Sequence, residues 1–301
     1  MLKMTKNICE ATALTHSGRF HADDVISAVI LNKVYGNITL LRTTRVPEKL
    51  TSNVVVFDIG GGEYDHHQKG GNGMRNNGIP YAAAGLIWRR YGHILLKNTA
   101  DPIYLWNSID KLLIQGIDAI DNGVMPQVDY EAQPMSLSQA IAGFNPQWDT
   151  DEDIDNCFLQ AADFAARVFD NTLSELSSKL RAREIIETSI EAAEGGIMVL
   201  PRFAPWQNYV FESINPKAGK IKFVVFPSNR IGYNWQCVPD KPGGFGQRKS
   251  VPKEWYGLKD EDIQRVSGVK TATFCHANGF IGGAMTLEDA ISMAKKAMET
   301  K

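Results

Sequence analysis

The stretch Val54-Val55-Val56-Phe57-Asp58-Ile59-Gly60-Gly61-Gly62 decides the fold class. Four β-branched or aromatic residues in a row before an aspartate read as a buried strand, within the apolar run Asn53 to Ile59, that delivers Asp58 at its carboxyl end. Upstream, Ala11 to Thr15 and Ile38 to Arg42 have the same character, and between them Asp23 to Tyr35 has helical apolar spacing. Strand, helix, strand, strand is the rhythm of an α/β protein with a mostly parallel sheet, whose ligand sites lie at the carboxyl edge of the strands.

Downstream of the glycines, Ala82 to Tyr91 and Pro102 to Asp121 are helical in spacing, and Asn122-Gly123 supplies a stop. Residues 151–195 have helix-favouring composition closed by Glu194-Gly195-Gly196. Ile197 to Leu200, Lys222 to Phe226 and Trp235 to Val238 read as strands, and Leu287 to Met298 as a closing helix capped by Thr286. The expected organisation is a catalytic domain over 1–150, a helical connector over 151–195 and a smaller α/β domain over 196–301.

With 301 residues the chain is long enough for two well-buried cores. Its four cysteines form no CxxC pair, which argues against a zinc ribbon or a disulfide framework and for a reducing, cytoplasmic home. A formal net charge of -2 gives no long-range attraction to nucleic acid or anionic lipid. No stretch resembles a signal peptide or a membrane span, so no membrane partner is expected.

Four of the six histidines, His16, His21, His66 and His67, fall in two short segments that also hold Asp23, Asp24 and Asp65. Imidazole with carboxylate, and no neighbouring cysteine, suits Mn²⁺, Fe²⁺, Zn²⁺ or Mg²⁺ and not a closed thiolate site. His21 and Asp23, two residues apart on an extended loop, point to one side and share an ion. Asp58 arrives from the next strand, and the three glycines after it let the chain turn back as Asp65-His66-His67. Gathering so many carboxylates without cations would cost several kcal/mol in repulsion and desolvation.

Four segments carry a family resemblance: His16-Ser17-Gly18-Arg19-Phe20-His21-Ala22-Asp23-Asp24, Val55-Val56-Phe57-Asp58-Ile59-Gly60-Gly61, Glu63-Tyr64-Asp65-His66-His67-Gln68 and Ile117-Asp118-Ala119-Ile120-Asp121-Asn122-Gly123. They resemble the Myg-type branch of the DHH phosphoesterase superfamily. Phe144-Asn145-Pro146-Gln147-Trp148, Trp255 to Glu261 and His276 to Gly283 look like the same family's later signatures. The resemblance implies a DHH-type catalytic domain binding two divalent cations, commonly Mn²⁺ with Mg²⁺ as alternative, and a smaller substrate-gripping domain. It implies 3′-to-5′ exonuclease activity on RNA, as described for eukaryotic members.

Carried over by motif, His16, His21 and Asp23 form one ligand group, Asp58 a second, His66 and His67 a third, and Asp118 or Asp121 the fourth. The first motif departs from the wider superfamily in carrying His21 where an aspartate is common, which lowers the charge of the site. With two cations, Asp58 is the expected bridging carboxylate, Asp65 joins the catalytic set, and His67 contacts the phosphate or protonates the leaving group. Expected substrate contacts are the loop of His276, Asn278, Gly282 and Gly283, whose backbone N–H groups suit an anion, and Arg248 with Lys249; Arg42 and Arg45 are weaker candidates. Trp206, Trp235 and Trp255 either stack bases or fill the core.

Three functions compete at this level. One is a nuclease acting on RNA or short oligonucleotides. The second is a DHH-type hydrolase of a small phosphate such as pyrophosphate or a cyclic dinucleotide. The third is a metal-binding regulatory protein without turnover. An oligomer is compatible with all three.

Overall fold

Four strands, β1 (Lys3–Thr5), β2 (Ala13–His16), β3 (Thr39–Thr43) and β4 (Val55–Val56), pair side by side in the order β1-β3-β2-β4, every pair parallel. A parallel pair needs a crossover, and α1 (Ala22–Tyr35) supplies it between β2 and β3. Its residues Ala22 to Leu31 are all buried, which explains a sequence that is apolar on every side rather than along one stripe. This computed structural model describes residues 2–50, 53–125, 127–128, 131–132 and 134–300.

The run ending at Asp58 forms a shorter strand than its composition predicts. Only Val55 and Val56 are regular, and both are half-buried rather than buried. The reason is position, because β4 is the sheet edge and has a neighbour on one side only. Phe57 still donates its N–H to the Leu14 carbonyl at 3.0 Å and is fully buried, so the ladder carries the chain up to Asp58.

α2 (Ala83–Leu96) packs on α1. The expected helix from Pro102 to Asp121 is helical throughout but has three parts: α3 (Pro102–Ile109), one π turn (Asp110–Ile114) and α4 (Gln115–Asp121). Asp110 opens the π turn and is held there by Arg75, whose Nε and Nη2 donate to its two oxygens at 3.1 and 2.8 Å. Such local bulges mark functional regions. Gly123, at φ 75°, ends α4 where the sequence places the stop. α5 (Leu137–Ala142) begins with a capping box between Ser136 and Gln139. α6 (Ile154–Glu191) then runs for 38 residues.

The chain divides into two compact units at Ser177/Ser178, inside α6. The second unit is built on a sheet of β5 (Ile197–Val199), β6 (Phe223–Pro227), β7 (Tyr233–Cys237), β8 (Ala272–Cys275) and β9 (Ile281–Ala284), ordered β5-β6-β7-β9-β8. Only β5 and β6 pair in parallel. One core joins this sheet to α8 (Asp260–Ser267) and α9 (Leu287–Glu299); another joins it to α7 (Gln207–Glu212) and the end of α6. Trp206, Trp235 and Trp255 are all buried in these cores, so none of them presents a face to a base. The fold class is α/β.

Candidate metal centre

His16 is the last residue of β2, a central strand, and so stands at the carboxyl edge of the first sheet. Gly18, at φ 87°, turns the chain into a short loop that ends at His21, the N-cap of α1. The first turn of α1 then places Asp23 and Asp24 under that loop, both fully buried. Asp24 accepts the His21 backbone N–H at 3.0 Å through Oδ1, while its Oδ2 lies 3.2 Å from His16 Nε2.

Asp58 enters from β4 with φ 56°, a conformation rare for a residue with a Cβ, and its N–H is fixed to the Tyr64 carbonyl at 2.9 Å. Holding a non-glycine residue there costs about 1–3 kcal/mol and is characteristic of functional positions. Its Oδ2 lies 3.3 Å from His16 Nε2; its Oδ1 lies 3.5 Å from His66 Nδ1 and 3.6 Å from His67 Nδ1. His66 turns its other nitrogen to Asp121 Oδ2 at 2.8 Å, and Asp121 Oδ1 is 3.9 Å from His21 Nδ1.

The ligand-type atoms fall into three groups, each within 4.8 Å: Asp58, Asp65, His66 and His67; His16, Asp24 and Asp58; and His21, Asp23 and Asp121. Asp58 belongs to two of them. Asp65 has a different task. Its Oδ2 accepts the Gly61 N–H at 2.6 Å and its Oδ1 faces His67 Nδ1 at 2.7 Å. This fixes the His67 ring, whose side chain is 61% exposed and free to meet a ligand.

Of the two aspartates left open in the last motif, Asp121 joins the cluster and Asp118 does not. Asp118 Oδ2 accepts from Arg75 Nη1 at 2.7 Å and Oδ1 from the Gly85 N–H at 2.9 Å. It is an anchor between α4 and α2. A Cβ on Gly85 would lie 1.9 Å from Asp118 Oδ2, so the contact requires glycine there. Burial pushes the Asp118 carboxyl up to about 7 although Arg75 and the Gly85 N–H oppose it.

Charge in the cluster is unbalanced without cations. Burial, and then the charges of Asp58, Asp121 and Asp24, hold the Asp23 carboxyl well above its ordinary range. Burial works against the proton of His16, but the Asp24 and Asp58 carboxylates override it and push the imidazole up to about 10. Burial likewise opposes the His66 proton, and Asp121 and Asp58 raise it. Among the described residues, both oxygens of Asp23, Oδ2 of Asp24, Oδ1 of Asp58 and Nδ1 of His66 are buried without a partner in hydrogen-bond geometry. Such orphaned groups are costly unless something absent satisfies them. Oxygen and imidazole donors grouped this closely fit divalent cations.

Two residues that the sequence places in its motifs without a role contribute here. Asp24 stands beside Asp23, a second acid in the first turn of an otherwise apolar helix. Asn145 is buried and clamps the loop from His16 to His21, accepting the Phe20 N–H at 3.0 Å and donating to the Phe20 carbonyl at 2.9 Å. Arg42, weighed as a phosphate contact, is buried, pairs with Asp155 and lies over Phe158.

The second-unit candidates sit in a different setting. His276 and Asn278 lie in the turn between β8 and β9, which uses its own donors: Gly279 N–H to the His276 carbonyl at 2.8 Å, Asn278 N–H to His276 Nδ1 at 3.1 Å. Gly282 and Gly283 are inside β9, where a Cβ on Gly282 would meet Trp235 at 2.3 Å. Arg248 donates to the carbonyls of Ala218 and Ile221 at 2.8 and 3.1 Å. These contacts make a tight hairpin and a braced loop, with Nη1 of Arg248 bonded to backbone.

A parallel sheet carries a dense histidine–aspartate cluster at its carboxyl edge, a set of residues that could hold metal ions. The chain matches the family model MYG1_exonuc, described as an uncharacterised protein family (UPF0160), over residues 12–298, and it belongs to that family. It is 32% identical over 317 residues to the human protein named MYG1 exonuclease, covering 93% of this chain and 84% of that one. It is 30% identical over 332 residues to the Saccharomyces cerevisiae MYG1 protein YER156C, covering 98% and 96%. The Caenorhabditis elegans MYG1 protein C27H6.8 is 32% identical over 324 residues, covering 95% and 94%. No solved structure matches the chain. No helix among the described residues is long and apolar enough to cross a membrane.

Proposed function

We propose that this chain is a metal-dependent phosphodiester hydrolase of the DHH type, an exonuclease that removes nucleotides from the end of RNA or short oligonucleotides. The observation that carries the reading is the set of buried, unpartnered donors of Asp23, Asp24, Asp58 and His66. The names of the mammalian relatives point the same way.

His16, His21, Asp23, Asp58, His66 and Asp121 would hold two divalent cations; a mixed imidazole and carboxylate set suits Mn²⁺, Fe²⁺, Zn²⁺ or Mg²⁺, and the family resemblance favours Mn²⁺. When bound, the cations supply a nucleophile at neutral pH and neutralise charge on the phosphoryl oxygens. Asp58 fixes the spacing of the two halves of the site from its constrained backbone. His67, oriented by Asp65, reaches a phosphate oxygen or gives a proton to the leaving oxygen. Asp24 holds the His21 backbone in place through Oδ1, as outer partners of ligands do.

The test is hydrolysis by the metal-stripped protein reloaded with Mn²⁺, offered end-labelled single-stranded RNA, single-stranded DNA, pyrophosphate and cyclic dinucleotides in parallel. Stepwise shortening of RNA that Asp58→Ala reduces on the order of 10³-fold, with folding preserved, supports the proposal. Release from pyrophosphate or cyclic dinucleotides alone would replace the exonuclease with a small-phosphate hydrolase. Silence on every substrate would favour a metal-binding regulatory protein.

A further inference from the structure

A cavity of 310 Å³ opens against the metal centre, between the start of α1, the face of α4 and α5. It shares His21 and Asp121 with the cluster, so whatever fills it is bonded to, or touches, the group held there. Its walls are otherwise apolar, formed by Ala22, Ile117, Ile120 and Ala142, and its rim carries Ser138 and Gln139. This volume is at the small end of ligand sites, which run from about 300 to 1,000 Å³. It has room for a single ring system and none for a duplex.

Apart from His21, none of the described residues in the lining has a cationic side chain. A second phosphate group, as in pyrophosphate, would meet aliphatic carbon and the Asp121 carboxylate there, and burying an anion in such surroundings is strongly unfavourable. A flat molecule with apolar faces and hydrogen-bonding edges suits the site. Gln139 is ready to read such an edge. Its Oε1 accepts from the Ser136 N–H at 2.8 Å, which fixes the side chain, while its Nε2 donates to none of the described residues.

We infer that this cavity receives the terminal nucleobase of a single strand, unstacked from its neighbour, and thereby makes the site select nucleotides over small inorganic phosphates. The inference rests on the exonuclease reading and deepens it by naming what sits beside the scissile phosphate.

The experiment measures binding of adenosine 5′-monophosphate and ribose 5-phosphate to the Mn²⁺-loaded full chain, wild type, Ala142→Leu and Gln139→Glu. Leucine fills the cavity; glutamate keeps the capping box of α5 but replaces the amide donor. The wild type is expected to bind the nucleotide at least about tenfold more tightly than the sugar phosphate, about 1.4 kcal/mol. Both variants should bring that ratio to within twofold, with ribose 5-phosphate and Mn²⁺ affinities unchanged. Equal wild-type affinities, or a base preference that survives in both variants, would overturn the inference. The same proteins are tested on RNA with and without an abasic terminal nucleotide. A base preference in binding without hydrolysis of any strand would sink the exonuclease reading and leave the cavity assignment standing; hydrolysis without base preference would do the reverse.

Discussion

Asp23 concentrates the energetic problem of the site in one side chain. It is fully buried, neither oxygen finds a donor among the described residues, and three other carboxylates lie around it. Without cations it should destabilise the fold, so Asp23→Asn should raise the melting temperature of chelated protein by several degrees while abolishing most of the stabilisation by added Mn²⁺. The pH dependence has the same origin. His16 is held at about 10 against an ordinary 6.5, so the metal-free fold binds this proton more tightly than the unfolded chain. That contribution is fully present below pH 6.5 and is lost as pH rises through about 10. Denaturant titrations in chelator should show stability falling across this window, by up to about 1.4 kcal/mol per pH unit for one proton. A stability that rises there would contradict the assignment. These residues were legible in the sequence because histidines and aspartates cluster in two short segments; their burial was not, since α1 reads as helix without showing what covers it.

Elements matter here through the loops they pin. The segment from His16 to His21 carries two histidines of the cluster, and it is fixed by Asn145, a residue 125 positions away from Phe20 in sequence. Asn145→Ala leaves the Phe20 N–H and carbonyl buried and unpaired, a loss of about 1–3 kcal/mol. Because the loop orients ligands, Mn²⁺ affinity should fall about 10–100-fold, the range seen when outer-shell support is removed. Isothermal titration of the folded variant checks this, and an unchanged affinity would reduce Asn145 to a purely structural contact. Local periodicity located most helices and strands, but no local pattern shows that Asn145 bonds Phe20 or that Asp118 bonds Gly85. The same limit explains β4, whose β-branched run predicts a buried strand although its place at the sheet edge leaves it half-exposed. In the turn from His276 to Gly279, where glycine composition suggests an anion loop, the N–H groups of His276, Asn278 and Gly279 bond within the hairpin.

At the scale of the whole molecule, every residue of the three ligand groups comes from the first unit, and the two cores of the second unit are formed by residues from Ala182 onward. A ligand that binds only the folded cluster stabilises it by mass action, by about 2.7 kcal/mol when its concentration is a hundred times the dissociation constant. That stabilisation belongs to the cooperative region containing His16, Asp58, His66 and Asp121, because stability is distributed by region rather than evenly along a chain. Hydrogen exchange with and without Mn²⁺ should therefore show added protection in β2, in the first turn of α1, around Asp58 to His67 and in α4. The β5–β9 sheet, held by Phe223, Trp235, Met198 and Val224 packed inside its own unit, should exchange at the same rate in both conditions. Protection that spread equally to β6 and β7 would mean that the cluster and the second sheet unfold as one body, and the site could no longer be treated as the property of the first unit.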